Sequence, residues 1–157
     1  MLQTVDAFGY RLYLSRQGHS EWFDHCTRGA ATWLRKMYGR KRVDHAALAE
    51  FDSLRERWSA ATTTEREHVM TKDAHLVAAA LESDRRLLSG DETARGLFSD
   101  LSSTCSELSD VLWANPHIRE DRAIDWLQQG APESFDPDLR LAAFRTRPPT
   151  PDRDRPR

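Results

Sequence analysis

Apolar residues recur at helical spacing in the first third of the chain. Between Ser20 and Tyr38 they fall at intervals of three and four residues, which predicts one helix, and Gly39 stands where a C-terminal cap belongs. Before this helix, apolar and polar residues alternate from Tyr10 to Leu14. That short run fits either a strand or the start of a helix.

A second helix is predicted after Asp44, whose side chain can cap its first turn. Its apolar face comprises Ala47, Leu48, Phe51, Leu54 and Trp58. Residues 60–64 interrupt the pattern, and a short extended segment over residues 68–70 then leads to Lys72 and Asp73.

The segment from Asp73 to Leu101 predicts a helix, a strand and a second helix. Residues 74–81 are strong helix formers and apolar almost all round, which indicates a buried helix. Residues 85–89 predict a brief strand after a turn. Gly90 permits a sharp turn, and Asp91 is placed to cap the next helix. This succession favours an α/β layer with parallel strands.

The pattern continues to about residue 145. Residues 111–113 predict a buried strand that ends at Asn115-Pro116, and residues 120–129 predict a last helix with Ile124 and Leu127 on one side. Four more apolar residues are expected to dock on the domain: Phe135, Leu139, Leu141 and Phe144. We therefore expect one domain over residues 1–145 and a disordered tail rich in proline and arginine over residues 146–157.

Composition supports a globular domain. Of the 157 residues, 39% are hydrophobic, enough for a core, and the five tryptophans fall on apolar faces. No apolar run reaches the ~18 residues of a membrane span, and we expect neither a membrane association nor a secretory signal. Cys26 and Cys105 match no metal-ligand spacing, which favours buried, reduced thiols and a cytoplasmic location.

Charge is uneven although the net charge is only −2. Residues 35–42 carry five cations and no acid, and six arginines lie between Arg140 and Arg157. Either group could contact phosphate. The alternative is a solvated helix end and a disordered tail.

Two aspartates are the main candidates for chemistry. Asp73 follows an extended segment at the start of a buried helix, and Asp91 follows the end of a strand. Ligands of open parallel sheets collect at the carboxyl ends of the strands, and two carboxylates there suit Mg²⁺. Such an ion could activate a water and offset the charge of a phosphodiester being cut. Alternatively, both aspartates are only helix caps.

Three other polar groups have simpler explanations. Glu21 and His25 lie four residues apart and could share a metal, but an ion pair on the helix surface is the favoured explanation. His75 is expected to be a core or cleft histidine. Arg85 and Arg86 could meet a phosphate or form salt bridges with Glu82 or Asp84.

The sequence over residues 73–95 resembles the second half of PIN-type nuclease domains. An acid (Asp73) opens a buried alanine-rich helix, and a strand ends in Ser89-x-Asp91. Within this family the sequence is similar to a group of bacterial PIN-like proteins in which an apolar strand ends in Trp-x-Asn-Pro, as at residues 113–116. Trp126-Leu127 extends the match, which covers residues 69–130 best.

This resemblance implies a three-layer α/β/α fold with a short parallel sheet. It further implies an endoribonuclease that depends on Mg²⁺ or Mn²⁺ and acts on single-stranded RNA, often as a toxin paired with an antitoxin. A homodimer is a further expectation. Asp73 and Asp91 correspond to the third and fourth acids of the family's metal site, with Ser89 orienting Asp91.

The first half departs from the family pattern. The first family strand, which ends in Asp-Thr/Ser-Asn, is missing, so the fold is expected to be incomplete at its N-terminus. Asp6 is the only candidate for the first metal-binding aspartate, and Glu21 the nearest candidate for the second acid. Three hypotheses follow: a PIN-type nuclease, a degenerate PIN-like domain acting as an interaction module without catalysis, and a helical adaptor in which the aspartates are only caps.

Overall fold

The computed structural model describes residues 1–144, which form eight helices and four short strands. The helices are α1 (Leu2–Ala7), α2 (Arg16–His25), α3 (Arg28–Gly39), α4 (Phe51–Ala60), α5 (Glu67–Glu82), α6 (Glu92–Leu101), α7 (Ala123–Gln128) and α8 (Leu141–Phe144). The strands are β1 (Leu12–Leu14), β2 (Val43–His45), β3 (Arg86–Leu88) and β4 (Leu112–Ala114). Single 3-10 turns occur at Thr64–Arg66, Ser106–Leu108 and Pro137–Leu139.

The strands form two separate parallel pairs. β1 pairs with β2, with Leu12 opposite Val43, and β3 pairs with β4, with Leu87 opposite Trp113. Helices connect the strands of each pair, as parallel strands require. The prediction of a mixed α/β fold with parallel strands is confirmed.

The predictions hold best from α5 onward. Residues 74–80 of α5 are buried apart from Leu76, and Asp91 caps α6 through a 2.9 Å hydrogen bond from the N–H of Ala94 to its Oδ1. β3 and β4 lie where the apolar runs placed them.

Two predictions for the first half of the chain are wrong. The helix predicted over residues 20–38 is two helices, because Cys26 adopts an extended backbone and the Thr27 hydroxyl caps α3. Asp44 is not a helix cap: it lies in β2, where its carboxylate binds Arg11, and α4 begins only at Phe51.

The predicted start of the buried helix α5 is also wrong. The segment over residues 68–70 is helical and not extended, since α5 begins at Glu67. Asp73 therefore lies in the second turn of α5 and not at its N-terminus. Its carboxylate is buried inside the domain and has no role as a cap.

The core is built around α5. This helix contacts α2, α4 and α6 and the strands β1 and β3. Its alanines allow these neighbours to approach closely, and aromatic rings fill the space beyond them: Trp58 packs edge-on against Phe98, which packs against Trp113. Three of the five tryptophans are fully buried, and Cys105 is buried while Cys26 is partly exposed; both thiols are free.

The C-terminal residues dock partly as predicted. Leu139 and Leu141 are fully buried, and Phe135 and Phe144 are partly buried. α7 is shorter than predicted, and Ile124 faces solvent while Trp126 and Leu127 are buried. The predicted tail over residues 146–157 lies outside the described residues. In residues 1–144 no helix has the length and apolar content to cross a membrane.

A buried ion pair ties α6 to the C-terminal segments. Arg95 is fully buried, its Nη1 lies 2.5 Å from Asp121 Oδ2, and its guanidinium stacks 4.2 Å from the ring centre of Phe144. Asp121 Oδ2 also accepts a 2.7 Å hydrogen bond from the N–H of Asn115. Removing one charge of such a pair leaves the other buried and uncompensated, which is strongly destabilising.

We predict that Asp121→Asn lowers the free energy of unfolding by about 3 kcal/mol, measured by urea denaturation. Asp125→Asn is the matched control, because the Arg122–Asp125 pair is exposed on both sides and should contribute less than about 1 kcal/mol. Equal effects of the two substitutions would contradict this account of the buried pair.

Candidate functional site

Asp91 is held by a tightly built turn after β3. Its N–H donates to the Ser89 hydroxyl oxygen at 3.2 Å, while its Oδ1 accepts from the N–H of Ala94. A Cβ at Gly90 would lie 2.9 Å from the ring of the exposed His117, so a larger residue there would require that ring to move. The hydrogen bond from Ala94 is the main reason that the pKa of the Asp91 carboxyl is lowered.

The segment after β4 supports the same turn. The Asn115 side-chain amide donates to Gly90 O at 3.3 Å and to Glu92 Oε1 at 2.8 Å, and the Trp113 indole donates to Ser89 O at 3.1 Å. The Trp-x-Asn-Pro sequence therefore positions the Asp91 turn from the neighbouring strand.

The Asp73 carboxylate is almost completely desolvated. Only 5% of the residue is exposed, and its Oδ2 is buried without a hydrogen bond. Burial is the main cause of its raised pKa; the charge of Asp91 and, more weakly, of Glu21 raise it further, while Lys72 and His75 lower it. A nearby cation would therefore stabilise the ionised form of Asp73.

Lys72 brings the two aspartates together. Its ammonium Nζ lies 3.1 Å from Asp91 Oδ2 and 3.6 Å from Asp73 Oδ2. The pKa of Lys72 is raised, first by the hydrogen bond to Asp91. Because its side chain is 63% exposed, the ammonium can leave without unfolding the site. The helical-adaptor hypothesis required the two aspartates to lie far apart, whereas here they share one cation.

His75 and Glu21 lie on the other side of Asp73. His75 is fully buried, its Nδ1 lies 3.0 Å from Lys72 O, and its Nε2 has no hydrogen bond and lies 3.6 Å from Glu21 Oε2. Burial lowers the pKa of His75. Glu21 contacts His75 and Gln17 and is not paired with His25, so the predicted Glu21–His25 ion pair is wrong.

Asp6 lies in a different environment. Its carboxylate binds Lys36 and Arg40 and approaches Arg42 to 3.5 Å, all at the end of α3. These cations lower its pKa, the hydrogen bond from Lys36 most. The structure therefore places Asp73 and Asp91 around Lys72 and Glu21 beside His75, but leaves Asp6 with the basic residues of segment 35–42. Arg86 forms the predicted salt bridge to Asp84 at 3.3 Å, whereas Arg85 bridges Asp110 and not Glu82 or Asp84.

The fit of a divalent cation depends on two carboxylates. In residues 1–144 no three His, Cys, Asp or Glu side chains are arranged to hold a metal. Asp73 and Asp91 nevertheless offer adjacent hard oxygen donors, one of them without a hydrogen bond, and Mg²⁺ is often bound by one or two carboxylates with waters completing its shell. The pair fits such an ion when Lys72 moves aside.

Comparison with known proteins adds no relative. No family model matches the chain, and neither the curated proteins nor the solved structures contain a significant match.

Two parts of the site were absent from the sequence predictions. Lys72 was assigned no role, although its place directly before Asp73 could have indicated a shared salt bridge. The approach of Glu21 to His75 joins α2 to α5 and has no local sequence pattern that could reveal it.

We predict opposite pH dependences for two substitutions at this site. Folding raises the pKa of Asp73, so the wild type loses stability as pH rises from the unfolded pKa through the folded one. Folding lowers the pKa of Asp91, so its stabilising contribution is present above the unfolded pKa and is lost as pH falls through the folded one.

Urea denaturation between about pH 3 and pH 7 measures both effects. Relative to wild type, Asp73→Asn should gain stability as pH rises, and Asp91→Asn should lose it. A parallel pH dependence of the two variants would contradict the assigned environments.

Proposed function

We propose that this chain is a metal-dependent endoribonuclease of the PIN type, with a Mg²⁺ or Mn²⁺ ion held by Asp73 and Asp91. The observation that carries the proposal is the buried Oδ2 of Asp73, which has no hydrogen bond. Asp73 and Asp91 both form an ion pair with Lys72. A desolvated carboxylate next to a second one is poised to accept a cation, because ionising both without one is costly.

Each residue has a distinct part in this proposal. Asp91, held in place by Ser89 and the N–H of Ala94, supplies a fixed anionic ligand. Asp73 supplies a ligand whose ionisation depends on cation binding. Lys72 balances their charge when no metal is bound, and its flexible stem lets it turn toward the phosphate of a substrate.

The cation supplies, when bound, an activated water and positive charge against the phosphodiester. Glu21 Oε2 lies 3.6 Å from His75 Nε2, and both groups interact electrostatically with Asp73. Single-stranded RNA is the proposed substrate and an antitoxin-like protein a proposed partner, both from the resemblance to PIN domains over residues 69–130. The same resemblance underlies the proposed three-layer α/β/α arrangement.

One observation favours a second candidate, a catalytically silent interaction module. Lys72 already forms an ion pair with each of the two carboxylates, and Asp6, the candidate for a third, is bound by Lys36 and Arg40. A site with two ligands instead of three or four would bind metal weakly.

We predict cleavage of single-stranded RNA by the purified chain in Mg²⁺ or Mn²⁺, abolished by EDTA. Asp73→Asn and Asp91→Asn should each reduce the rate at least ~100-fold, because each removes a metal ligand. Asp52→Asn is the control, since that side chain is 87% exposed and lies on α4. Activity that survives both site substitutions would end the proposal, and no activity in any metal would favour the silent module.

A further inference from the structure

The two parallel strand pairs are separated by an open apolar groove. The groove has a volume of about 620 Å³, within the range of ligand sites. β1 and β3 line it over their whole length, whereas β4 does not line it, and Asp44 is the one β2 residue that does. β1 and β3 are therefore the inner strands of the two pairs, and α5 packs against both.

The inner edge of β1 presents main-chain groups without partners. The N–H of Leu12 donates to Arg42 O at 2.8 Å, and Leu14 O accepts from the N–H of Ala46 at 2.9 Å, so both residues bond toward β2. Tyr13 lies between them, and successive residues of a strand direct their main-chain groups to opposite edges. In residues 1–144 its N–H and C=O have no hydrogen-bond partner.

The inner edge of β3 is open in the same way. Arg85 O accepts from the N–H of Leu112 at 2.8 Å and the N–H of Ser89 donates to Ala114 O at 3.3 Å, so alternate residues bond toward β4. Leu88 therefore directs its N–H and C=O away from β4, and in the described part of the chain neither group has a partner. Unpaired strand edges of this kind are templates for another strand.

The walls of the groove are mainly apolar, which favours an apolar ligand. Leu76 and Ala79 of α5 line it, as do Trp126 and Leu127 beside α7. Trp22 and Trp33 also line it, with their rings stacked at 5.8 Å between centres. The unpaired N–H and C=O groups at the edges of β1 and β3 match the main chain of an extended polypeptide, which a lipid tail does not offer.

We propose that this groove binds an extended apolar segment of a partner polypeptide, which lies between β1 and β3 and joins the two pairs into one five-stranded sheet. Strand addition of this kind obtains affinity from main-chain hydrogen bonds and specificity from side-chain pockets. Because the inserted strand is covered on both faces, it should be continuously apolar and rich in valine, isoleucine and leucine. This proposal is independent of the proposed nuclease activity.

The test uses the full chain and a synthetic acetylated, amidated peptide, Lys-Val-Ile-Val-Leu-Val-Lys. We expect saturable binding, followed by the fluorescence of the tryptophans that line the groove. Hydrogen exchange measured at a peptide concentration ~10 times Kd should slow the Tyr13 and Leu88 amides by about tenfold. The Val43 amide on the outer edge of β2 is the internal control and should not change.

Peptide methylation separates strand pairing from simple apolar binding. In one peptide the three valine N–H groups are methylated, and in another those of isoleucine and leucine. Since each set faces one edge of the strand, both peptides should bind at least about tenfold more weakly, while apolar area is retained. Ala79→Phe should also block binding by filling the groove, whereas Ile124→Phe, on an exposed position, should not.

Absence of saturable binding would overturn the proposal. So would equal affinity of the methylated peptides, or binding that leaves the Tyr13 and Leu88 amides unprotected.

Discussion

The burial of α5 on nearly all sides is the constraint on which the rest of this structure depends. Its alanines let five other elements approach closely, so a polar side chain on its buried faces loses its water. Asp73 and His75 are the two such residues that are completely or nearly buried, and each keeps one polar atom without a hydrogen bond. Stability alone would favour apolar residues at both positions.

The same helix organises the two strand pairs. β1 and β3 both pack on α5, and each turns an unpaired edge toward the groove between them. Asp91 follows β3, and Asp73 lies on α5, so the acidic site and the groove share their supporting elements. A segment that entered the groove would lie against the helix that holds the buried carboxylate.

The sequence predicted the structure well where the determinants are local. Asp91 caps α6 as its place before a helical pattern indicated, and the buried run around Trp113 forms β4. β2 was missed because it has a single apolar residue, Val43, and because Asp44 in front of an apolar run has the composition of a helix cap. The start of α5 was misplaced because His68 and Val69 have weak helical preference, which packing overrides.

Only part of the candidate site could be predicted, because some of its contacts depend on packing between segments that are distant in sequence. The proximity of Asp73 and Asp91 was expected from their place around one strand, and Lys72 joins them. The position of Glu21 beside His75, and the capture of Asp6 by Lys36 and Arg40, are set by helix packing between distant segments. No spacing along the chain encodes those contacts.

Titration of the Asp73 carboxyl carbon by NMR, with and without Mg²⁺, tests the central claim most directly. The account predicts a pKa above that of an ordinary aspartate in the free protein, and a fall in that pKa when Mg²⁺ is added, because the cation stabilises the ionised form. An ordinary pKa that Mg²⁺ leaves unchanged would contradict both the desolvated environment and the proposed cation site.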